Sequence, residues 1–355
     1  MSVGQTMPID PKLFAKLPDP LVEWFRIHAR ELPWRRDPSP YFVWLSEIML
    51  QQTRIETVRG YFERFRTALP DIPSLAAADE EQVFKLWEGL GYYSRAKNLH
   101  TAAKVIMEKY QGRFPETFAE VRALPGIGDY TAGAICSIAF GLPTPAVDGN
   151  VMRVIARLAA FEGDVRSAAV RKEVSEGLRK VYPHGAEAEF TQALMELGEV
   201  VCTPAGSPDC LHCPIAKFCS ARAEGRQTSL PVPPEKKPRP VEKRTVLILR
   251  CRGKLALRKR ADRGLLANLW EFPSLDGWKT NREVATILGG IPVRRGPSAV
   301  HVFSHLAWDM ISFSAELPEE TDPYAWFEPD RLPAIPSAFR VFRDMAENDA
   351  MPHLP

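Results

Sequence analysis

The stretch Leu230-Pro-Val-Pro-Pro-Glu-Lys-Lys-Pro-Arg-Pro240 constrains the fold most, because five of its eleven residues are proline and few could join a core. Such a composition favours a semi-extended spacer over a helix or a paired strand. It divides the 355 residues into two parts of different character. Residues 1–220 carry apolar positions at helical spacing in 21–29, 41–50, 99–106 and 193–200, which predicts an all-α domain. Pro33, Pro38, Pro70, Pro115 and Pro143 mark its joints. Residues 221–243 read as the linker. Residues 244–355 show short β-branched or alternating runs at 245–249, 255–258 and 300–317, so the second domain is expected to be α+β and smaller.

Composition narrows the class. Hydrophobic residues at 45% and charged residues at 25% exclude a disordered or fibrous chain. A net charge of +2 makes no global case for a polyanionic partner, yet residues 236–263 hold twelve Lys or Arg against two acids. That run serves equally as a DNA contact or as a solvated linker. The most apolar stretch, 131–147, is broken by Ser137, Pro143, Thr144 and Pro145, so no membrane span is expected. The first residues lack a basic region followed by an apolar one, which points to the cytoplasm.

Four of the six cysteines fall within eighteen residues, as Cys202-x7-Cys210-x2-Cys213-x5-Cys219. This is too few for a disulfide scaffold, and four thiolates on one loop suit a metal centre. Spacing alone admits both a 4Fe–4S cluster and a structural zinc. A set of four protein ligands leaves no open position, so the centre is expected to be structural.

Three other segments carry chemistry. Leu124-Pro-Gly-Ile-Gly128 between helical stretches reads as a helix-hairpin-helix, in which Gly126 and Gly128 are expected to take positive φ and admit a close approach. The following helix then offers unpaired N–H groups to a phosphate, gripping DNA without reading its sequence. Glu47 lies in Tyr41-Phe-Val-Trp-Leu-Ser-Glu-Ile-Met-Leu-Gln-Gln-Thr53, a helix apolar on nearly every face. Burial there raises a carboxyl pKa toward that of a general acid, while pairing with an arginine is the plainer alternative. Asp148, in Val147-Asp-Gly-Asn150, precedes a helix and suits an N-cap. It also suits the second carboxylate of a glycoside-type reaction, with Asn150 orienting it.

The Glu47 helix, the hairpin with Asp148 beyond it and the four-Cys loop, in that order, resemble the endonuclease III superfamily of helix-hairpin-helix DNA glycosylases. Ser46-Glu-Ile-Met-Leu-Gln-Gln-Thr53, Gly89-Leu-Gly-Tyr-Tyr93 and Val147-Asp-Gly-Asn150 are similar to its adenine DNA glycosylases, the MutY family. The resemblance implies an enzyme that flips adenine out of a duplex and removes it from opposite 8-oxoguanine or guanine, acting as a monomer with one 4Fe–4S cluster. It implies that Glu47 protonates adenine N7, that Asp148 stabilises the sugar cation, and that Tyr130 and Asn150 position the reacting groups. It places Trp34, Arg35 and Gln192 in the adenine pocket, and Gln52 and Tyr92 in the base stack. Strand-cutting relatives have lysine where this chain has Tyr130, and no lysine occurs from 126 to 157, so the expected product is an abasic site.

Leu269-Trp-Glu-Phe-Pro273 resembles the family's Nudix-like domain, and Phe303-Ser304-His305 its 8-oxoguanine loop. Hydrolysis of a diphosphate is not expected, because Ile291-Pro292 stand where the Nudix box needs Arg-Glu. The expected architecture is therefore an all-α helix-hairpin-helix glycosylase domain with an iron–sulfur loop, followed by an α+β Nudix-like domain. The chain departs from the family in placing seven rather than six residues between the first two cluster cysteines. A catalytically silent damage-binding protein on the same scaffold is the alternative function.

Overall fold

The computed structural model describes residues 10–204, 206–233 and 238–348. Residues 234–237 of the linker and the first nine residues, read above for a leader, lie outside the described residues. The chain forms two compact units, one drawn from 1–78 and 98–235 and the other from 79–97 and 236–355.

The first unit is helical. Its helices start where prolines preset φ: Pro18–His28, Pro33–Arg36 and Pro40–Leu50 each carry proline in the first turn. One core joins Pro18–His28, Gly149–Leu158 and Glu187–Val200 through Leu21, Phe25, Met152, Ile155, Phe190 and Leu197. These residues recur at three- and four-residue intervals, so each helix turns a single apolar stripe inward. Among the described residues no helix is long and apolar enough to cross a membrane.

The second unit is built on a seven-stranded sheet: β1 (Val241–Cys251), β2 (Lys254–Lys259), β3 (Trp270–Glu271), β4 (Ser274–Asp276), β5 (Arg294–Val302), β6 (Ala307–Glu316) and β7 (Ala325–Phe327). The order is β3-β2-β1-β6-β5, with β4 paired to β1 and β7 to β2. Strands β1 and β6 run parallel, from Val241 opposite Ala307 to Arg250 opposite Glu316, and the other pairs are antiparallel. Both faces are covered, which explains the unbroken apolar run of β1. Val246 and Ile248 meet Trp308 and Phe339 on one face, whereas Leu247 and Leu249 meet Phe313 and Val284 on the other.

The run 300–317 divides at the loop expected at 303–305, into the end of β5, a tight turn in which Phe303 N–H donates to the Leu306 carbonyl at 2.8 Å, and β6. One expectation is corrected. The segment 221–243 is not a spacer throughout. It contains the last residues of the helical turn Ser220–Ala223 at one end and the start of β1 at the other. Between them Leu230 is buried and its carbonyl accepts from Arg157 Nε at 2.8 Å, so an apolar side chain and a buried donor tie it to the helical unit.

Candidate active site

Helix Pro40–Leu50 buries eight of its eleven residues, and Glu47 is among them at 5% exposure. A carboxylate so placed needs a partner. The first helix turn beyond the hairpin supplies it: Tyr130, at the start of Asp129–Phe140, donates its hydroxyl to Glu47 Oε2 at 2.7 Å. Burial nevertheless dominates and pushes the Glu47 carboxyl up to about 7, with Tyr130 and Arg35 pulling the other way and Asp148 adding to the rise. The anticipated arginine partner is therefore a weak one, and tyrosine takes its place.

Asp148 is the N-cap of Gly149–Leu158, its Oδ1 accepting from Val151 N–H at 2.8 Å, while Asn150 Nδ2 donates to its Oδ2 at 2.9 Å. Capping and a position in the site coexist. Burial raises the Asp148 carboxyl above its usual value against the pull of these two donors. Asn150 is held in turn by Arg153, whose Nη2 donates to Asn150 Oδ1 at 2.8 Å and to the Gly198 carbonyl at 2.7 Å. Glycine at 198 is required by this approach, since a Cβ there would sit 2.6 Å from that of Asn150.

Glu47, Tyr130, Asp148 and Asn150 line one cavity of about 560 Å³ together with Trp34, Arg35 and Gln192. All seven residues assigned from sequence to catalysis and the base pocket thus come together. Trp34 is packed edge-on to Phe62 at 5.5 Å and still borders the cavity. Arg35 lies over the Phe25 ring and donates to Gln192 Oε1 and to Glu196 Oε2, both at 2.9 Å. Arg30 completes the cluster with Nε 2.7 Å from Glu196 Oε1. Burial works to raise the Glu196 carboxyl, but the two guanidinium groups outweigh it and hold it below the usual range. Arg30, Glu196 and Arg153 were missed in the sequence. Glu196, one helical turn beyond Gln192, was the signal available.

Cys202, Cys210, Cys213 and Cys219 line a separate small cavity walled by Val154, Leu158, Leu197 and Ile215, and all four are free of disulfides. Arg157 reaches into it, donating to Cys202 Sγ at 3.2 Å and to the Thr203 carbonyl at 2.9 Å. Among the described residues no three His, Cys, Asp or Glu side chains are arranged to hold a single metal ion. Four thiols around one apolar cavity beside a cation have the donor chemistry of an anionic multi-metal cluster.

The hairpin glycines differ from expectation. Gly126 has φ 77° and is approached by Asn98, whereas Gly128 caps the following helix at φ −95°, an ordinary extended conformation. Open space surrounds Gly128, so its lack of a side chain clears the N-terminus of the helix and does not serve a left-handed turn.

Gln52 and Tyr92 lie outside the cavity, each exposed and each in the left-handed region, at φ 57° and 47°. Strain of this kind in non-glycine residues concentrates at functional positions. The Tyr92 turn is held by Arg95, buried over the Trp87 ring and donating to the Leu90 and Gly91 carbonyls. Within the second unit Tyr92 shares a cavity of about 730 Å³ with Phe303, Ser304 and His305. Phe303 is anchored edge-on to Trp308 at 4.9 Å, while Ser304 and His305 form the exposed tip of the β5–β6 turn. Leu266, at φ 58°, and Ser337 line the same cavity and were not foreseen.

Residues 45–180 match the HhH-GPD superfamily of base excision DNA repair proteins, and residues 244–343 match the NUDIX domain. The chain is similar to proteins named adenine DNA glycosylase. The rat protein is 33% identical over 85% of this chain and 70% of its own, and the human protein 35% over 81% and 64%. One from Buchnera aphidicola is 34% identical over 72% and 74%. Among solved structures, a thermostable thymine-DNA glycosylase matches at TM-score 0.54 and 27% identity, covering 60% of this chain and 97% of its own. An endonuclease III bound to DNA matches in fold at TM-score 0.52 and 24% identity, covering 61% and 99%.

Proposed function

The chain belongs to the adenine DNA glycosylases of the helix-hairpin-helix base excision repair superfamily, and from that premise we propose that it hydrolyses the N-glycosidic bond of adenine opposite 8-oxoguanine or guanine. The observation that carries this reading is Glu47: a buried carboxyl with its pKa near 7, held by Tyr130 in a cavity it shares with Asp148. A general acid works best with a pKa close to the working pH.

In this mechanism the adenine leaves the stack and enters the cavity, whose volume suits a purine nucleoside. Trp34 walls the base, and Arg35, held by Glu196, and Gln192, held by Arg35, meet its polar edge. Glu47 delivers its proton to N7, which turns adenine into a neutral leaving group. The sugar develops positive charge as the bond breaks, and the ionised Asp148, held by Val151 N–H and Asn150, stabilises it. Water completes the hydrolysis. Tyr130 cannot form a Schiff base, so the product is an abasic site with the strand intact.

The rest of the assignment follows the same division. Gly126, Gly128 and the helix beyond them hold a phosphate, Gln52 and Tyr92 enter the stack, and Phe303, Ser304 and His305 read 8-oxoguanine from the second unit. Cys202, Cys210, Cys213 and Cys219 hold a 4Fe–4S cluster, which when bound supplies four iron–thiolate bonds that pin their loop. We assign 1–220 to the glycosylase domain, 221–243 to the connection and 244–355 to recognition, in a monomer acting on DNA in the cytoplasm.

The test is adenine release from a duplex carrying one A opposite 8-oxoguanine, scored for strand breaks before and after alkali. Breaks only after alkali are expected. Breaks without alkali would mean lyase chemistry, and tight binding without release would favour the silent damage-binding reading.

A further inference from the structure

The outer edge of the sheet carries a surface that the glycosylase reading leaves unused except at Val302, which borders the cavity of Tyr92 and Phe303. Strand β5 ends the sheet, and among the described residues no strand pairs with it on the side away from β6. The phase of the ladder is fixed by two bonds: Phe303 N–H donates to the Leu306 carbonyl, and Ala307 N–H turns away from β5 to the Pro240 carbonyl. In an antiparallel pair this alternation directs the backbone groups of His301 and Ala299 toward β6, and those of Val300 and Val302 outward.

The same two residues expose their side chains, at 65% and 55%. Register places Val302 beside Ala307 and then Val241, itself 61% exposed, and Val300 beside Asp309 and then Lys243. Trp278 is 47% exposed and joins this row, its Nε1 donating to the Asp309 carbonyl at 3.1 Å under the Lys243 ammonium, 4.3 Å from the ring. Val300 and Val302 therefore flank an open strand edge, and Val241 and Trp278 continue the apolar surface across β6. Such an edge accepts a further strand, with backbone bonds for affinity and alternate side chains for specificity.

Charge selects the occupant. Strand β5 contains Arg294 and Arg295 and no acid, and Arg295 lies over Phe313 on the face that bears Val300. Lys243 stands within the patch, and Lys279 and Arg239 adjoin it in sequence. Asp309 is the acid that shares Val300's register, since Glu242 is turned to the other face, where it accepts from Trp308 and Arg244. We infer that the outer edge of β5 is a docking strand for an extended segment of a partner protein that turns β-branched and acidic residues together to the face of Val300.

The experiment uses the full chain and a labelled peptide, Ser-Val-Ser-Val-Ser-Glu-Ser-Asp, whose valines and acids share one face, read by fluorescence anisotropy beside a counterpart with lysine in place of each acid. Saturable binding of the acidic peptide, at least tenfold tighter than the basic one, is expected. Val300→Pro removes the outward N–H at an edge that tolerates proline, and Val300→Asp removes the apolar contact and repels an acidic strand. Each should weaken binding at least tenfold while circular dichroism and adenine release stay unchanged. Failure of the acidic peptide to bind, or equal binding to both variants and the parent chain, would overturn the inference. Concentration-dependent dimerisation abolished by the same substitutions would assign the edge to a second copy instead. Undamaged duplex whose binding is lost with Val300→Asp would assign it to DNA.

Discussion

The hydroxyl of Tyr130 donates to Oε2 of Glu47 at 2.7 Å, from the start of one helix to the interior of another. The bond favours the charged carboxylate and so opposes the burial that lifts the Glu47 pKa to about 7. If Glu47 acts as the acid, single-turnover base release falls as pH rises through 7, approaching tenfold per unit. Tyr130→Phe removes the bond, raises the Glu47 pKa further and moves this descending limb to higher pH. A limb that stays in place, or moves down, would remove Tyr130 from control of the acid. Glu47→Gln should abolish release and retain duplex binding.

The same burial has a cost in stability. The folded-state pKa of Glu47 lies above its unfolded value of about 4.5, so the folded state holds the proton more tightly. Its contribution is fully present below about pH 4.5, is lost as pH rises through 7, and is constant above that. A difference of this size corresponds to at most about 3 kcal/mol at pH 8. Glu47→Gln, which has no charge to bury, should therefore unfold at higher denaturant than the parent at pH 8 and at nearly the same denaturant at pH 4. A variant less stable at both would show that the carboxylate supports the fold.

Arg153 connects the two cavities of the helical unit. Its Nη2 holds Asn150 and the Gly198 carbonyl, and its Nε donates to the Cys202 carbonyl at 2.8 Å. Arg153→Met keeps much of the packing and leaves two buried carbonyls and the Asn150 amide without their donor. Each such loss costs about 1–3 kcal/mol. We expect a lower melting temperature and base release slowed at least tenfold, with the Glu47 limb of the pH profile unmoved. Arg153→Lys, with a single donor centre, should recover part of the stability and less of the rate.

Residues that carry their own constraint were legible in the sequence. Glu47 stood out because a carboxylate in an apolar helix needs a reason. Asp148 did because it opens a helix, and the cysteines because of their spacing. Tyr130 carries no such constraint and came from the family resemblance, through its place after the hairpin. Arg30 and Glu196 escaped because they pair across 166 residues, and Arg153 because its carbonyl partners Gly198 and Cys202 lie 45 and 49 residues away, and no local pattern announces a pairing made only by packing. Gly128 was misread for a similar reason: glycine signals either a positive φ or an absent side chain, and only the backbone decides which.

The cysteine loop provides a prediction that separates its two metal readings. Seven residues lie between Cys202 and Cys210, and closure entropy grows only slowly with length, so the longer loop can still close on one centre. Both ends of this segment are restrained, by Arg157 at the Thr203 carbonyl and by Asp209 N–H at the Val201 carbonyl, 3.0 Å away. The purified protein should contain about four irons per chain and a visible absorption shoulder, as four thiolates holding one 4Fe–4S cluster require. Cys213→Ser should lose the absorption and lower the melting temperature, because the loop then keeps only three thiolates. Stoichiometric zinc without iron would reject the cluster while leaving the Glu47 and Asp148 chemistry untouched.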